Sequence, residues 1–260
     1  MPKFMIPDTE PPEPNRRNPD FQLLQAGLQH MGKTMTPDQK DAISKHFTLM
    51  VETNKLINLT TVTTWELALT RHFLDSLSVL LAFEPLPMAL PPQRLLDIGS
   101  GAGFPGIPIK IFCPTIQVDL IESRKKKAVF LEEVVTSLDL QPTRVYAERA
   151  ESLAHTSLRE SYDIVVSRAV APMNILAEIA LPFVRVGGVF IAMKQLDIMD
   201  ELHQSLAAIK KLGGTITTPP IEVDLPNLSP KRSLVVVSKT RATPRALPRA
   251  PGTPQKKPLE

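Results

Sequence analysis

The sequence is poor in cysteine, in aromatic side chains and in long apolar runs. The single cysteine, Cys113, excludes an internal disulfide framework and a metal cluster held by several thiolates, which favours a reducing cytoplasm. No run approaches the roughly 18 consecutive apolar residues that a membrane-spanning helix needs, and residues 1–20 hold acids and six prolines where a signal peptide needs an apolar block. The five histidines are scattered along the chain, so no metal site is predicted. Trp65 and the few other aromatics provide no ladder on which nucleic-acid bases could stack.

The composition that remains is that of a globular protein. Hydrophobic residues make up 43% of the chain and charged residues 22%, which excludes wholesale disorder, a collagen repeat and a coiled coil. A chain of 260 residues exceeds a typical domain of about 100–200 residues, so we expect one α/β domain with an extra layer, or two small domains. The net charge of +3 is uneven, because residues 239–260 carry six basic side chains and one acid while the rest holds 24 basic and 26 acidic side chains. The basicity is therefore a property of the carboxy-terminal tail.

Four regions follow one another along the chain. Residues 1–20 and 240–260 are rich in proline and lack apolar periodicity, so both are predicted to be disordered tails. Residues 21–90 are predicted to form a helical layer, with one helix starting at Thr36-Pro37-Asp38-Gln39 and a second running from near Thr64 to Leu81. Residues 91–239 alternate short apolar runs with helix-length segments and are predicted to form the ligand-binding domain.

The alternation in the third region predicts an α/β fold with a twisted, mostly parallel seven-stranded sheet and helices on both faces. The predicted strands are 94–98, 117–121, 144–147, 163–166, 189–193, 216–224 and 234–238. The predicted helices are 105–112, 125–138, 174–183 and 200–212. The last two strands are joined by a short loop, so they are expected to form an antiparallel hairpin at the sheet edge.

The segment from Asp97 to Gly106 is the strongest functional signal. Its glycines at 99, 101, 103 and 106 follow a predicted strand and precede a predicted helix, as in turns that bind nucleotide cofactors at the carboxyl end of a strand. Glu122 ends the second strand 19 residues beyond Gly103, where a carboxylate can accept both ribose hydroxyls. The pattern also satisfies the NAD fingerprint, so NAD stays open. Asp97 favours S-adenosylmethionine, because an acid suits an ammonium group better than a pyrophosphate.

Several short motifs occur in order over about residues 40–240. They are Asn58-Leu59-Thr60, Arg71-His72-Phe73-Leu74-Asp75-Ser76, the loop Asp97–Gly106 with Ile107-Pro108, Ser167-Arg168-Ala169, and Lys194. In this combination the sequence resembles the RsmG (GidB) family of 16S rRNA guanine-N7 methyltransferases. The resemblance implies a class I methyltransferase fold, S-adenosylmethionine as cofactor, and a guanine in the decoding-region loop as target. It also implies that Gly99 and Phe104 line the cofactor, that Ala150 and Glu151 flank its adenine, and that Arg168 lies at the active-site face. Gly101 is expected to bind the cofactor as part of the same glycine run. The segment Lys231-Arg232-Ser233 matches the family's basic turn only loosely, so Arg232 receives no role.

The implied reaction needs no general base, because guanine N7 carries an in-plane lone pair and no proton. The candidates for the active site are therefore positioning groups: Arg168, Lys194, His72 and Asp75. Arg168 is expected to bind guanine O6, a phosphate or the carboxylate of the cofactor. Methylation of a pyrimidine carbon would require a cysteine nucleophile, but Cys113 follows the loop helix and does not lie at a strand end. Methylation of an exocyclic amine usually goes with an Asn/Asp-Pro-Pro-aromatic turn after the fourth strand, where this chain has Ser167-Arg168-Ala169-Val170. Neither of these two acceptors is favoured.

A run of four cations, Arg124, Lys125, Lys126 and Lys127, opens a predicted helix and is predicted to bind RNA phosphate. The expected partner is 16S rRNA or the assembling 30S subunit. The other hypotheses are a small-molecule methyltransferase, a ribosome-assembly factor without enzymatic activity, and an NAD dehydrogenase.

Overall fold

The computed structural model describes residues 20–83, 92–168 and 171–260. The predicted disorder of 1–20 thus lies outside the described residues except at Asp20, as do Ala169 and Val170. Helices are numbered in chain order: α1 (Gln22–His30), α2 (Pro37–Asn54), α3 (Trp65–Ala68), α4 (Asp75–Leu77), α5 (Gly106–Phe112), α6 (Lys125–Ser137), α7 (Ala150–Leu153), α8 (Met173–Ala180), α9 (Met199–Lys211) and α10 (Thr253–Lys256). None of the helices in this described part of the chain is both long and apolar enough to cross a membrane.

The first helices form the expected layer. Thr36 caps α2 as its sequence predicts: the Thr36 hydroxyl accepts from the Gln39 backbone N–H at 3.2 Å, and the Gln39 side chain accepts from the Thr36 N–H at 2.9 Å. The second predicted helix is present but irregular. It continues from α3 through a π-helical turn (Leu69–Leu74) and α4 into a 3-10 turn (Ser78–Ala82). Such π-helical turns are often found at functional sites.

The sheet confirms the predicted architecture and corrects the sixth of the seven predicted strands. Its strands are β1 (Arg94–Ile98), β2 (Gln117–Ile121), β3 (Val145–Tyr146), β4 (Tyr162–Arg168), β5 (Val184–Gln195), β6 (Gly214–Thr215), β7 (Ile221–Val223) and β8 (Arg232–Lys239). The order is β3-β2-β1-β4-β5-β8-β6, with β1 to β5 parallel and β8 antiparallel. The single strand predicted over 216–224 is wrong. Two short strands, β6 and β7, pair with opposite ends of β8, because Pro219 and Pro220 between them cannot donate to the ladder.

Alternate residues of the parallel strands point into two separate cores. Leu95, Val118 and Ile164 pack against the N-terminal helices, α5 and α6. On the other face, Leu96, Val165 and Ala192 pack against α7, α8 and α9. The N-terminal layer therefore shares a core with one sheet face, and this contact brings its side chains to the end of the strands.

Residues 240–260 are not disordered, so that prediction is wrong. Leu247 and Leu259 are buried in the second core, and Arg249 pairs with the buried Glu178 at 2.6 Å. Proline has no backbone N–H to donate, but carbonyl oxygens of the tail accept hydrogen bonds from side chains of the folded body instead. Arg159, for example, donates to the carbonyl oxygens of Thr243, Pro244 and Leu247 at 2.8–3.1 Å.

Candidate functional site

The glycine loop after β1 has a backbone that only glycine adopts easily. Gly99, Gly101 and Gly103 have φ angles of 75°, 59° and 93°, all in the left-handed region. The N–H groups of Gly99 and Ser100 donate to the Ile121 carbonyl at the end of β2, at 2.9 and 3.1 Å. A Cβ on Gly101 would meet nothing closer than the Gly99 carbonyl oxygen at 3.9 Å. The loop is thus held against β2 and is open on the Gly101 side.

Two carboxylates shape this loop in different ways. Glu122 accepts from the Gly101 N–H with Oε2 at 3.1 Å and from the Arg124 N–H with Oε1 at 2.7 Å. It thus lies beside the loop, as predicted, and each oxygen retains a lone pair. Asp97 lies beneath the loop and is fully buried. Its Oδ2 accepts from the Gly106 N–H at 2.9 Å, whereas Oδ1 has no partner among the described residues.

Burial also controls the proton on Asp97. Loss of hydration raises the pKa of this carboxyl to about 7, although the hydrogen bond from Gly106 favours its charged form. Because Asp97 is buried beneath the loop, its expected direct contact with an ammonium group stays a prediction. Together the loop and Glu122 form a cradle, called the glycine cradle below, that could hold a nucleoside.

Aromatic rings attach the glycine cradle to the helical layer. Phe104 is buried and stacks with His46 at 4.9 Å and with His72 at 4.5 Å between ring centroids. His46 also stacks with Phe130 at 6.3 Å, and its Nε2 lies 2.8 Å from the Ala102 carbonyl oxygen. Burial lowers the pKa of His46 to about 4. The Phe104 ring is thus enclosed by protein, and its predicted contact with a cofactor stays a prediction.

Asp75 joins two arginines at the neighbouring strand ends. Its Oδ2 accepts from Arg168 at the end of β4 at 3.0 Å, and its Oδ1 accepts from Arg232 at the start of β8 at 3.1 Å. Asp75 is 1% exposed, whereas the two arginine side chains are 17% and 21% exposed. Arg168 also donates to the Arg71 carbonyl at 3.0 Å, within the π-helical turn. The cluster therefore presents two partly exposed guanidinium groups fixed by one buried carboxylate.

His72 lies beside this cluster and is neutral. Its Nε2 is 2.8 Å from the Thr60 hydroxyl, and its Nδ1 is 3.5 Å from an Arg168 guanidinium nitrogen. Burial and the nearby Arg168 charge lower the pKa of His72 to about 3. At neutral pH the ring therefore supplies a fixed polar surface without a charge.

The structure brings the four predicted active-site residues together around one cavity of about 510 Å³. The cavity lies at the carboxyl edge of the sheet, where open α/β sheets bind ligands. Among the groups that line it are Arg71, His72, Asp75, Arg168, Lys194 and Arg232. Lys194 is partly committed elsewhere, because its Nζ donates to the Ala171 carbonyl at 2.9 Å and pairs with Glu201 at 2.6 Å. Within the described ranges, no group of three or more His, Cys, Asp or Glu side chains could hold a metal ion.

The remaining predicted site residues lie at the same edge but not in the cavity. Arg124, Lys125 and Lys126 are exposed at the start of α6. Lys127 is half-buried and its Nζ donates to the Leu59 carbonyl at 3.3 Å. Ala150 and Glu151 begin α7. The Glu151 carboxylate accepts from Arg149 at 2.6 Å and from the Gly252 N–H at 3.2 Å, so its side chain is engaged by protein.

Sequence reasoning missed two residues of the site. Arg232 had no assigned role, and only the antiparallel return of β8 places it beside Arg168. In the sequence His46 is only one of five scattered histidines. A signal did exist for His46, because it lies on the apolar stripe of α2 with Ile43, Phe47 and Met50, where a polar ring needs a partner.

The chain is similar to known proteins over most of its length. The family model of rRNA small subunit methyltransferase G (GidB) matches residues 39–221. A ribosomal RNA small subunit methyltransferase G from Dehalococcoides mccartyi (strain CBDB1) is 42% identical over 234 residues, which cover 90% of this chain and 97% of that protein. A protein of the same name from Pelotomaculum thermopropionicum is 42% identical over 239 residues, covering 92% and 98%. Among solved structures, a Corynebacterium glutamicum protein with 16% identity has a TM-score of 0.50 over 82% of this chain and 94% of that one, a likeness of fold alone.

Proposed function

The chain belongs to the rRNA small subunit methyltransferase G (GidB) family, and we propose that it transfers a methyl group from S-adenosylmethionine to N7 of a guanine in the decoding-region loop of 16S rRNA. The observation that carries this proposal is the position of the glycine cradle beside a cationic cavity. A nucleoside held in the cradle would face a polyanionic substrate held in the cavity. The substrate is part of the small ribosomal subunit, so we infer that the protein acts in the cytoplasm.

The glycine cradle fits the nucleoside end of S-adenosylmethionine. The space beside Gly101 accepts a group that a side chain there would displace. Glu122 retains acceptor capacity for two ribose hydroxyls, because each of its oxygens receives only one backbone N–H. When bound, S-adenosylmethionine supplies an electrophilic methyl group on a sulfonium. The chain's own residues then have to orient this group and keep water away.

The arginine cluster fits the other half of the reaction. Arg168 and Arg232 are held by Asp75 but remain partly exposed, so each keeps guanidinium donors for a phosphate or for guanine O6. They should not bond to N7, since a donor there would occupy the lone pair that attacks the methyl group. Their role is to fix the guanine so that N7 points along the methyl–sulfur axis, and such alignment can contribute several kcal/mol to the rate.

No side chain of the cavity needs to move a proton. His72 is neutral, with a pKa of about 3, and the Asp75 carboxylate is held by two arginines. This agrees with an acceptor nitrogen that has no proton to lose. A mechanism through a cysteine nucleophile finds no support at this site. Cys113 follows α5 at the opposite edge of the sheet from the cavity.

The exposed cations at the start of α6 are proposed to contact the RNA backbone beside the target loop. The backbone N–H of Arg124 donates to Glu122, which is part of the glycine cradle. The basic run therefore begins directly beside the cradle. Phosphate binding at this position would place the substrate across the mouth of the cradle.

The test is transfer of a labelled methyl group to purified 16S rRNA and to 30S subunits, followed by nuclease digestion and identification of the modified base. We expect label on N7 of one guanine, and the two substrates reveal whether naked RNA or the particle is preferred. Absence of label from both substrates, or label on another base, would refute the proposal. Retained activity on a small molecule without RNA would support the small-molecule hypothesis instead.

A further inference from the structure

The carboxy-terminal residues 240–260, called the strap below, cross one face of the molecule from one sheet edge to the other. Because β8 runs antiparallel to β5, pairing Arg232 with Gln195 and Ser238 with Val189, the strap leaves β8 at the edge where the parallel strands begin. There the Thr243 N–H donates to Glu160 at 2.7 Å. The strap ends at the opposite edge, where ligands bind.

Two contacts fix the far end of the strap at the carboxyl edge. The Gly252 N–H donates to Glu151 in the first turn of α7 at 3.2 Å, and the Leu259 carbonyl accepts from the Asn174 side chain in the first turn of α8 at 3.4 Å. Because α7 and α8 begin where β3 and β4 end, both contacts lie at the edge that carries the glycine cradle. The residues between them are therefore presented at this edge as well.

The middle of the strap is clamped to α8. Glu178 is fully buried, and its carboxylate receives the Arg249 backbone N–H at 2.9 Å and the guanidinium at 2.9 and 2.6 Å. Bidentate bonds between an arginine and a carboxylate are among the strongest and most directional in proteins. The strap is thus built to occupy one position.

The clamped strap carries an exposed pair of cations. Lys256 and Lys257 lie between the two edge contacts, and both are exposed. Neither lysine forms an ion pair with any residue in the described ranges. The run Arg124–Lys127 lies at the same edge but on the opposite sheet face, since α6 belongs to the first core and the strap to the second. Cations therefore flank the glycine cradle on both faces.

We propose that the strap is an RNA-binding element that presents Lys256 and Lys257 to the phosphate backbone of the substrate, on the side of the glycine cradle opposite Arg124–Lys127. This inference rests on the proposed function, because it takes the substrate to be RNA. Unpaired lysines at a ligand edge attract phosphates by releasing counterions. The clamp fixes where the lysines meet the RNA, and the RNA then spans the mouth of the cradle.

The direct test uses the full-length K256Q/K257Q variant and measures binding to 16S rRNA by filter retention at several salt concentrations. We expect affinity to fall about tenfold near 0.1 M salt, and the slope of log affinity against log salt to shrink by about 1.4, or 0.7 for each lost phosphate contact. Affinity for S-adenosylmethionine, measured by calorimetry, should not change. The matched control is K210Q/K211Q, an exposed lysine pair at the end of α9 on the opposite sheet edge, which should bind RNA like the wild type.

A second variant tests the clamp. E178Q/R249Q removes both charges at once and so leaves no buried carboxylate without its partner. We expect it to lose most of the RNA affinity that K256Q/K257Q loses, and the four-substitution variant to lose little more, because both changes act through the same lysines. Fully additive losses, or a K256Q/K257Q affinity within twofold of the K210Q/K211Q control, would overturn the proposal. RNA binding is measured without turnover. A wild type that binds RNA but transfers no methyl group would therefore count against the proposed function, whereas the proposal that the strap binds RNA would stand.

Discussion

Replacing Asp75 with asparagine should destabilise the protein much more than removing an exposed acid. Asp75 is 1% exposed and each of its oxygens accepts from one arginine. In the D75N variant one oxygen becomes an NH₂ group, which faces a guanidinium donor and cannot bond to it. The two arginines also lose the negative charge between them. Both consequences act on the folded state.

The expected magnitude follows from the exposure of the arginines. Breaking a fully buried ion pair costs about 3–5 kcal/mol, because it leaves a buried charge without a partner. Arg168 and Arg232 keep 17% and 21% of their side-chain surface, so water can restore part of their hydration. We therefore expect a loss of about 2–3 kcal/mol in the free energy of unfolding. The control is D224N, since Asp224 and its partner Lys231 are 72% and 52% exposed and such pairs contribute about 0–1 kcal/mol.

Urea unfolding followed by the fluorescence of Trp65, the single tryptophan, measures both variants. Trp65 reports on the helical layer, because its ring packs on Phe21 and Phe47 at 5.2 and 5.0 Å between centroids. Methyl transfer by D75N should also fall at least tenfold under conditions where the protein is folded, because the arginines are no longer fixed. An unfolding midpoint for D75N equal to that of D224N would refute the idea that Asp75 holds the cluster together.

Three further predictions concern the cradle, the basic run and the ring stack. G101N should abolish S-adenosylmethionine binding in calorimetry while G32N, at a left-handed glycine with equal room for a Cβ, leaves it unchanged; equal binding by both would contradict the placement of the cofactor. K125Q/K126Q should weaken 16S rRNA binding and reduce its salt dependence, whereas K210Q/K211Q should do neither. His46 has a folded pKa of about 4 against 6.5 in the unfolded chain, so protonating it opposes folding, and the wild type should lose up to about 3 kcal/mol relative to H46Q as pH falls from 6.5 to 4. The comparison with H46Q cancels the titration of His72 and Asp97, whose pKa values are also shifted. H46Q should lack that part of the pH dependence, and an unchanged difference between the two proteins across this range would contradict it.

Local features of this fold could be predicted from the sequence because neighbouring residues determine them. The capping box at Thr36 and Gln39 and the order of strands and helices after residue 92 are set by short-range patterns. The glycine loop and the adjoining Glu122 follow from the spacing between two consecutive strands.

The arginine cluster and the strap could not be predicted in the same way. Asp75 meets Arg168 and Arg232 across 93 and 157 positions of the chain, and no local pattern encodes such contacts. The order of residues 240–260 is not predictable, because their prolines indicate the loss of backbone hydrogen bonds but not the side chains, such as Arg159, that bind the tail. The division of the predicted strand 216–224 is different, because Pro219 and Pro220 in the sequence already indicate a break within its apolar pattern.

Because the helical layer and the glycine cradle share stacked rings, the N-terminal helices and the sheet domain depend on each other for their folded structure. Phe104 from the loop contacts His46 of α2 and His72 of the π-helical turn, so excision of the first 91 residues would strip the loop of its lateral support and open an apolar surface to water. Loosening of the N-terminal helices should accordingly be transmitted to the Ala102 carbonyl and the glycines around it. Natural variation in the packing of α2 would then tune cofactor affinity without any substitution in the loop.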